Sequence, residues 1–95
     1  MILLHVTQTL KDRDERDRYY AKLCASGIPD ASRGEDGNLG YDYFFPADTD
    51  NRILLIEKWE SDEALTRHQH TDHFLAIPAI KSEFSIDTKV ERFDI

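Results

Sequence analysis

The sequence has little of what anchors or cross-links a small protein. Cys24 is its only cysteine, which excludes a disulfide within the chain and fits a packing role in a reducing compartment. No apolar run approaches the roughly 18 residues of a membrane span. The first residues, MILLHVTQTL, lack the basic segment and long apolar run of a signal peptide. We therefore expect a cytoplasmic protein that has no membrane partner.

Positive charge is also scarce. The chain has 12 Lys and Arg against 19 Asp and Glu, and its formal net charge is -7. Nucleic-acid binding depends on clustered Lys and Arg, so the sequence predicts no nucleic-acid partner. The length of 95 residues fits one domain, spanning residues 1–95.

Hydrophobic periodicity predicts an α+β protein with the element order β-α-β-β-α-β. The predicted elements are a strand over residues 2–10, a helix capped by Asp12, strands over LGYDYFFP and RILLIEKWE, a helix from Ser61, a short helix from Thr71 disturbed at Pro78, and a strand over FSIDTKVERFDI. This order is the ferredoxin-like plan, a four-stranded antiparallel sheet with helices on one face. Because both faces of the third strand are largely apolar, we expect a homodimer that packs sheet to sheet.

Three histidines, His68, His70 and His73, follow the third strand closely. On one continuous helix, positions 68 and 70 point about 200° apart, so this spacing predicts no metal site. His70 is expected on the surface. His68 follows Leu65 by three positions and shares its face toward the sheet. Two interpretations of His68 stay open, a hydrogen-bonded core residue and a proton-transfer group in a cavity.

Glu57 lies between Leu55 and Trp59 on one face of the third predicted strand. A carboxyl group there is buried or lines a cavity, and burial raises its pKa unless a partner offsets the effect. The structural interpretation is a Glu paired with an Arg or a Tyr. The functional interpretation is a carboxylate that orients a histidine base.

Three segments together resemble the antibiotic biosynthesis monooxygenase family, which includes the small quinol monooxygenases. EDGNLGYDY resembles the family's E-x-G-x-x-x-Y entry to strand two, IEKWES its x-E-x-W strand, and HQHTDHF its H-x-x-T-x-H-F helix. Asp72 stands where the family usually has a proline. The resemblance covers residues 35–74 and is specific for the family rather than for one reaction.

The resemblance implies a dimeric α/β barrel with a small cavity between sheet and helices in each subunit. Family members oxidise phenolic or quinol rings with O₂ and use no metal or flavin, so the implied partners are an aromatic substrate and O₂, and no cofactor. The implied catalytic residues are His68, as the base, and Glu57, as its partner. The implied substrate-binding residues are Tyr41, Trp59 and Phe74, as walls, and Asn38 and His73, as donors to substrate oxygens.

Two other functions stay open at this point. One is isomerisation of a small phosphorylated dione, as in quorum-signal breakdown, for which Lys22, Arg33 and Arg92 are the available cations. The other is a dimeric binder of small ligands with no turnover, because a shared fold does not fix function.

A haem-degrading branch of the superfamily is excluded by its ligand position. Members of that branch have an Asn late in the first strand and a His after the second helix. Thr7 and Pro78 stand there in this sequence, and proline cannot ligate iron.

Overall fold

The computed structural model describes residues 1–95 and contains the predicted elements in the predicted order. They are β1 (Ile2–Thr9), α1 (Arg13–Ser26), α2 (Ile28–Arg33), β2 (Asn38–Phe44), β3 (Arg52–Trp59), α3 (Asp62–Gln69), α4 (Asp72–Leu75), α5 (Ile77–Lys81) and β4 (Asp87–Asp94). The four strands form one antiparallel sheet in the order β2-β3-β1-β4. The predicted α+β, ferredoxin-like class is confirmed.

Strict alternation along β1 and β3 separates the two faces of the sheet. Every second residue of β1, from Ile2 to Gln8, is buried, and so is every second residue of β3, from Ile53 to Trp59. The register places Leu4 opposite Glu57 and Val6 opposite Leu55. Residues directly opposite each other in an antiparallel pair point to the same face. Glu57 therefore lies on the inner face, beneath the helices.

Side-chain caps begin three of the helices. Asp12 accepts from the backbone N–H of Glu15, Ser61 from that of Ala64, and Thr71 from that of Phe74. Each cap satisfies a donor that the first helical turn leaves unpaired. The predicted helix starts at these three positions are therefore confirmed.

Glycine and proline divide the predicted helical regions more finely than periodicity indicates. Gly27, at φ 80°, ends α1 and immediately precedes α2, whose first turn contains Pro29. Pro78 likewise lies in the first turn of α5, where no backbone N–H is required. It therefore belongs to a new helix instead of disturbing the preceding one.

Two expectations differ from the structure. Cys24 is exposed, so the predicted packing role of its thiol was wrong. The last strand begins at Asp87 instead of Phe84, because Phe84 and Ile86 pack against the cluster formed by Leu10, Tyr19 and its neighbours. None of the helices combines the length and the apolar character that crossing a membrane requires.

Candidate active site

A cavity of about 290 Å³ lies between the inner face of the sheet and the helices, and most of its lining is apolar. Four of the predicted site residues line it, namely Tyr41, Glu57, His68 and Phe74. The other three, Asn38, Trp59 and His73, lie outside the lining. The structure thus brings both predicted catalytic residues into one cavity and separates the predicted binding residues.

His68 is held between α3 and the sheet. It is 2% exposed, and its Nδ1 lies 2.6 Å from Oε2 of Glu35. Because a carboxylate only accepts, this hydrogen bond assigns the ring proton to Nδ1. The lone pair of a neutral His68 is then on Nε2. A buried imidazole with one nitrogen anchored and the other unprotonated has the form of a general base.

Glu35 is the site residue that the sequence interpretation missed. It lies in the loop between α2 and β2, and its Oε2 also accepts from Nε2 of His73, at 2.8 Å. It stands between two histidines that are separated from it by 33 and 38 positions. The signal for it was available, because Glu35 is the first residue of the E-x-G-x-x-x-Y pattern.

Glu57 approaches His68 from the opposite side of the ring. Its Oε1 accepts from the indole Nε1–H of Trp59 at 3.1 Å and lies 3.8 Å from Nε2 of His68, beyond hydrogen-bond reach. Burial raises the pKa of Glu57, against the lowering effects of Trp59 and His68. Glu35 is thus the carboxylate hydrogen-bonded to His68, and Glu57 faces the other ring nitrogen.

Aromatic rings hold the imidazole of His68 in place. The Trp59 ring lies 4.6 Å from it, centroid to centroid, and is tilted by 34°. Phe74 and Tyr41 make edge contacts at 5.1 and 5.9 Å. Trp59 is fully buried, so it supports His68 and Glu57 from behind. Burial also raises the pKa of Tyr41, which keeps its phenol protonated and able to donate.

Asn38 has a structural position at the start of β2. Its side-chain amide donates to the backbone carbonyl of Gly40, at 3.1 Å, where the pairing with β3 is irregular. The residue before it, Gly37, has φ 84°, and a Cβ there would lie 2.5 Å from Cβ of Ala64. The backbone leading into β2 therefore passes α3 at a distance that only glycine allows.

Glu35, His68 and His73 are also the one group whose ligand atoms could hold a metal ion, since they lie within 4.8 Å of one another. The N···O separations of 2.6 and 2.8 Å are hydrogen-bond lengths. They are shorter than the roughly 3 Å between neighbouring ligand atoms around an ion with bonds of about 2.1 Å. The arrangement fits a hydrogen-bond network better than a metal site. His70 is exposed and takes no part, with its Nδ1 2.8 Å from the carbonyl oxygen of Thr66.

Comparison with known proteins agrees with this architecture. Residues 3–79 match the model of the family described as antibiotic biosynthesis monooxygenase. The chain belongs to this family. A curated relative, "Putative monooxygenase YcnE" from Bacillus subtilis strain 168, is 31% identical over 74 residues, covering 78% of this chain and 75% of the relative.

Solved structures share the fold over nearly the whole chain. Rv0793 from Mycobacterium tuberculosis is 25% identical, with a TM-score of 0.81 and coverage of 100% of this chain and 98% of its own. SnoaB, a cofactor-independent oxygenase from Streptomyces nogalater, is 16% identical, with a TM-score of 0.74 and coverage of 99% and 91%. At that identity SnoaB shows likeness of fold alone. The ferredoxin-like architecture is therefore common to members with diverged sequences.

Proposed function

We propose that the protein is a cofactor-independent monooxygenase that oxidises a quinol or another phenolic aromatic compound with O₂. One observation carries the proposal. His68 has its Nδ1 bonded to Glu35, while its ring lines a largely apolar cavity together with Glu57. Family membership supports the reaction class, and SnoaB is a family-fold protein described as a cofactor-independent oxygenase.

The first step is removal of the phenolic proton by Nε2 of His68. The gap of 3.8 Å between Nε2 of His68 and Oε1 of Glu57 leaves room for a hydroxyl oxygen about 2.8 Å from both. The resulting imidazolium is stabilised by Glu35 on the other side of the ring, as in other histidine bases backed by a carboxylate. Tyr41 and the protonated form of Glu57 are the hydrogen-bond donors near the developing phenolate, because an ionised Glu57 would repel it.

The electron-rich phenolate then reacts with O₂ directly. It transfers one electron to O₂, and the superoxide and the ring radical combine at a ring carbon. The resulting peroxide takes the proton back from the His68 imidazolium, and the hydroperoxide loses water to leave a carbonyl group. For a naphthol the balance is ArOH with a ring C–H, plus O₂, giving the quinone plus H₂O. The substrate supplies all the electrons, so no other reductant is required. Dry walls such as Leu55, Leu65 and Phe74 limit side reactions of the radical pair with water.

The size of the cavity restricts the substrate. At about 290 Å³ it lies at the lower end of the range for ligand cavities, roughly 300–1,000 Å³. We therefore favour a substrate of one or two fused rings. The three cations considered for a phosphorylated dione are paired with carboxylates, Lys22 with Glu83, Arg33 with Asp30, and Arg92 with Asp62 and Asp94. None of these three cations lines the cavity.

We also infer that the protein forms a homodimer through the outer face of its sheet. That face carries Leu3, Leu54, Ile56, Phe44 and Phe93, which the register places on neighbouring strands. Phe44 is 50% exposed and Phe93 41%. Exposed apolar side chains on a sheet face that no helix covers are typical of an interface between chains.

Oxygen consumption tests the proposal directly. We would measure O₂ uptake with a panel of reduced naphthoquinols for the parent protein, His68→Ala and the matched control His70→Ala. The proposal expects uptake well above autoxidation, abolished in His68→Ala and kept in His70→Ala, because His70 is exposed and does not line the cavity. Uptake no higher than autoxidation for every quinol, or equal uptake by His68→Ala, would overturn it. Ligand binding without uptake, unaffected by His68→Ala, would indicate the non-catalytic binder.

A further inference from the structure

The inner face of the sheet changes polarity along the strands. At one end, Glu57 lies opposite Leu4 and beside Tyr41. Gln8 follows Leu4 by four positions along β1, a distance of about 13 Å at roughly 3.3 Å per residue. It lies opposite Thr88 of β4. Between the two ends, the row formed by Tyr43, Leu55, Val6 and Val90 carries no charged group. Residues of both ends line the same cavity, so it has an acid–base end, a dry middle and a second polar end.

Lys81 supplies a positive charge at this second end. Lys81 lies in the last turn of α5, and its Nζ donates to Oγ1 of Thr88 at 2.8 Å. Oγ1 of Thr88 lies in turn 3.5 Å from Oε1 of Gln8. Among the Lys and Arg side chains, Lys81 alone lines the cavity, and no carboxylate lies within 4 Å of its Nζ. Partial burial lowers the pKa of Lys81, as expected for an ammonium group that lacks a counter-ion.

We infer that Lys81, Thr88 and Gln8 form an anion subsite that binds a carboxylate carried by the substrate at the end opposite its phenolic hydroxyl. This inference deepens the proposed function and rests on it for the position of the hydroxyl. The substrate class is then a hydroxylated one- or two-ring aromatic acid. Its hydroxyl lies at His68, its rings lie against Leu55 and Val6, and its carboxylate lies at Lys81.

Charge and donor number favour a carboxylate at this end. The protein carries a net charge of -7, so it repels anions in general and needs a specific cation to retain one. The Thr88 hydroxyl accepts from Lys81 and donates to Oε1 of Gln8, so the remaining N–H groups of one ammonium are the charged donors, which suits a singly charged group. A phosphate dianion is usually bound by more cations or by several backbone N–H groups.

Binding measured without oxygen separates this inference from the proposed reaction. We would titrate 6-hydroxy-2-naphthoate, which has its hydroxyl and carboxylate at opposite ends of two rings, by anaerobic calorimetry. Its methyl ester is the matched neutral ligand, and 2-naphthyl phosphate tests the phosphate alternative. The proteins would be the parent, Lys81→Met, Lys81→Arg and the control Lys11→Met, whose lysine is exposed and does not line the cavity.

The expected result is that Lys81→Met weakens binding of the acid about 10-fold, the size of one partly buried ionic hydrogen bond. Binding of the ester should change less than about 2-fold, since Lys81→Met removes little apolar contact. Lys81→Arg should retain most of the affinity, and Lys11→Met all of it. Equal effects on acid and ester, or no binding of the acid, would overturn the inference. Tighter, Lys81-dependent binding of the phosphate would replace the carboxylate with a phosphate.

Oxygen uptake is then read separately with 6-hydroxy-2-naphthoate. Lys81-dependent binding without uptake would uphold the anion subsite and count against the proposed oxidation. Uptake with the naphthoquinols, combined with binding of the acid that Lys81→Met leaves unchanged, would support the proposed oxidation and count against the anion subsite.

Discussion

The indole Nε1–H of Trp59 donates to Oε1 of Glu57 at 3.1 Å, and the two residues lie on the same face of β3, two positions apart. This contact holds the carboxyl group away from the sheet and toward His68. Since Trp59 is fully buried, the carboxyl group of Glu57 has a fixed position in an environment that disfavours its charge.

Glu35→Gln should lower kcat about 100-fold, because Glu35 orients His68 and stabilises the imidazolium that forms after proton transfer. KM should change little, because Glu35 does not line the cavity. Steady-state O₂ uptake, with Glu63→Gln as a control on the exposed first turn of α3, measures both constants. A rise in KM at constant kcat would contradict the positioning role of Glu35.

Glu57→Gln should stabilise the protein at neutral and alkaline pH. Burial raises the pKa of Glu57 in the folded protein above its value in the unfolded chain. Ionisation of Glu57 therefore lowers the free energy of unfolding. This loss of stability is absent at low pH, where the group is protonated in both states, and complete above the folded-state pKa. The amide keeps an acceptor for Trp59 and carries no charge.

The melting temperature measured from pH 4 to pH 8 tests this expectation. The difference between Glu57→Gln and the parent should be smallest at pH 4 and should grow as the pH rises. Glu60→Gln, at the exposed neighbouring position, should show no such trend. A difference that shrinks toward pH 8 would mean that Glu57 is stabilised in its charged form.

Gly37→Ala should destabilise the fold more than Gly27→Ala. Both glycines have positive φ, 84° and 80°, so both substitutions cost roughly 1–2 kcal/mol of backbone strain. A Cβ at position 27 meets nothing within 4 Å, whereas one at position 37 would lie 2.5 Å from Cβ of Ala64. Overpacking of this kind adds about 1–3 kcal/mol. Urea unfolding of the two variants measures the difference, and equal midpoints would contradict the close approach.

Ile56→Glu should dissociate the inferred homodimer. Ile56 lies on the outer face of the sheet, opposite His5 and Asp42, and a carboxylate there would be desolvated in an apolar interface. Light scattering should give twice the chain mass of 11.1 kDa for the parent and the chain mass for the variant. Glu63→Gln, in the first turn of α3, should stay dimeric. A parent of 11.1 kDa would refute the dimer.

Removal of metal ions should leave O₂ uptake unchanged. The separations from Glu35 to His68 and His73 are hydrogen-bond lengths, and the proposed reaction uses no ion at this position. The parent protein would be assayed before and after dialysis against a chelator, with bound metal measured by mass spectrometry. Loss of uptake that one divalent ion restores would reassign the three residues as metal ligands.

Most of the fold could be predicted because it depends on periodicity. Alternation placed Glu57 on the inner face of β3. The three-residue spacing from Leu65 placed His68 on the face of its helix that packs against the sheet. Glu35 could not be placed in the same way, since it lies in a loop and its position depends on contacts with distant helices. Lys81 gave no signal for a similar reason, because its role depends on how α5 packs beside β4.

The hydrogen bond between Glu35 and His68 joins positions 33 residues apart, with one partner in a loop and the other in a helix. Neither segment alone can fix which ring nitrogen carries the proton, since free imidazole interconverts between its two tautomers. On the proposed mechanism, the reactive tautomer of His68 is therefore fixed only once both segments have docked. O₂ uptake would then be lost in a molecule whose loop between α2 and β2 has detached, even while its sheet stays folded.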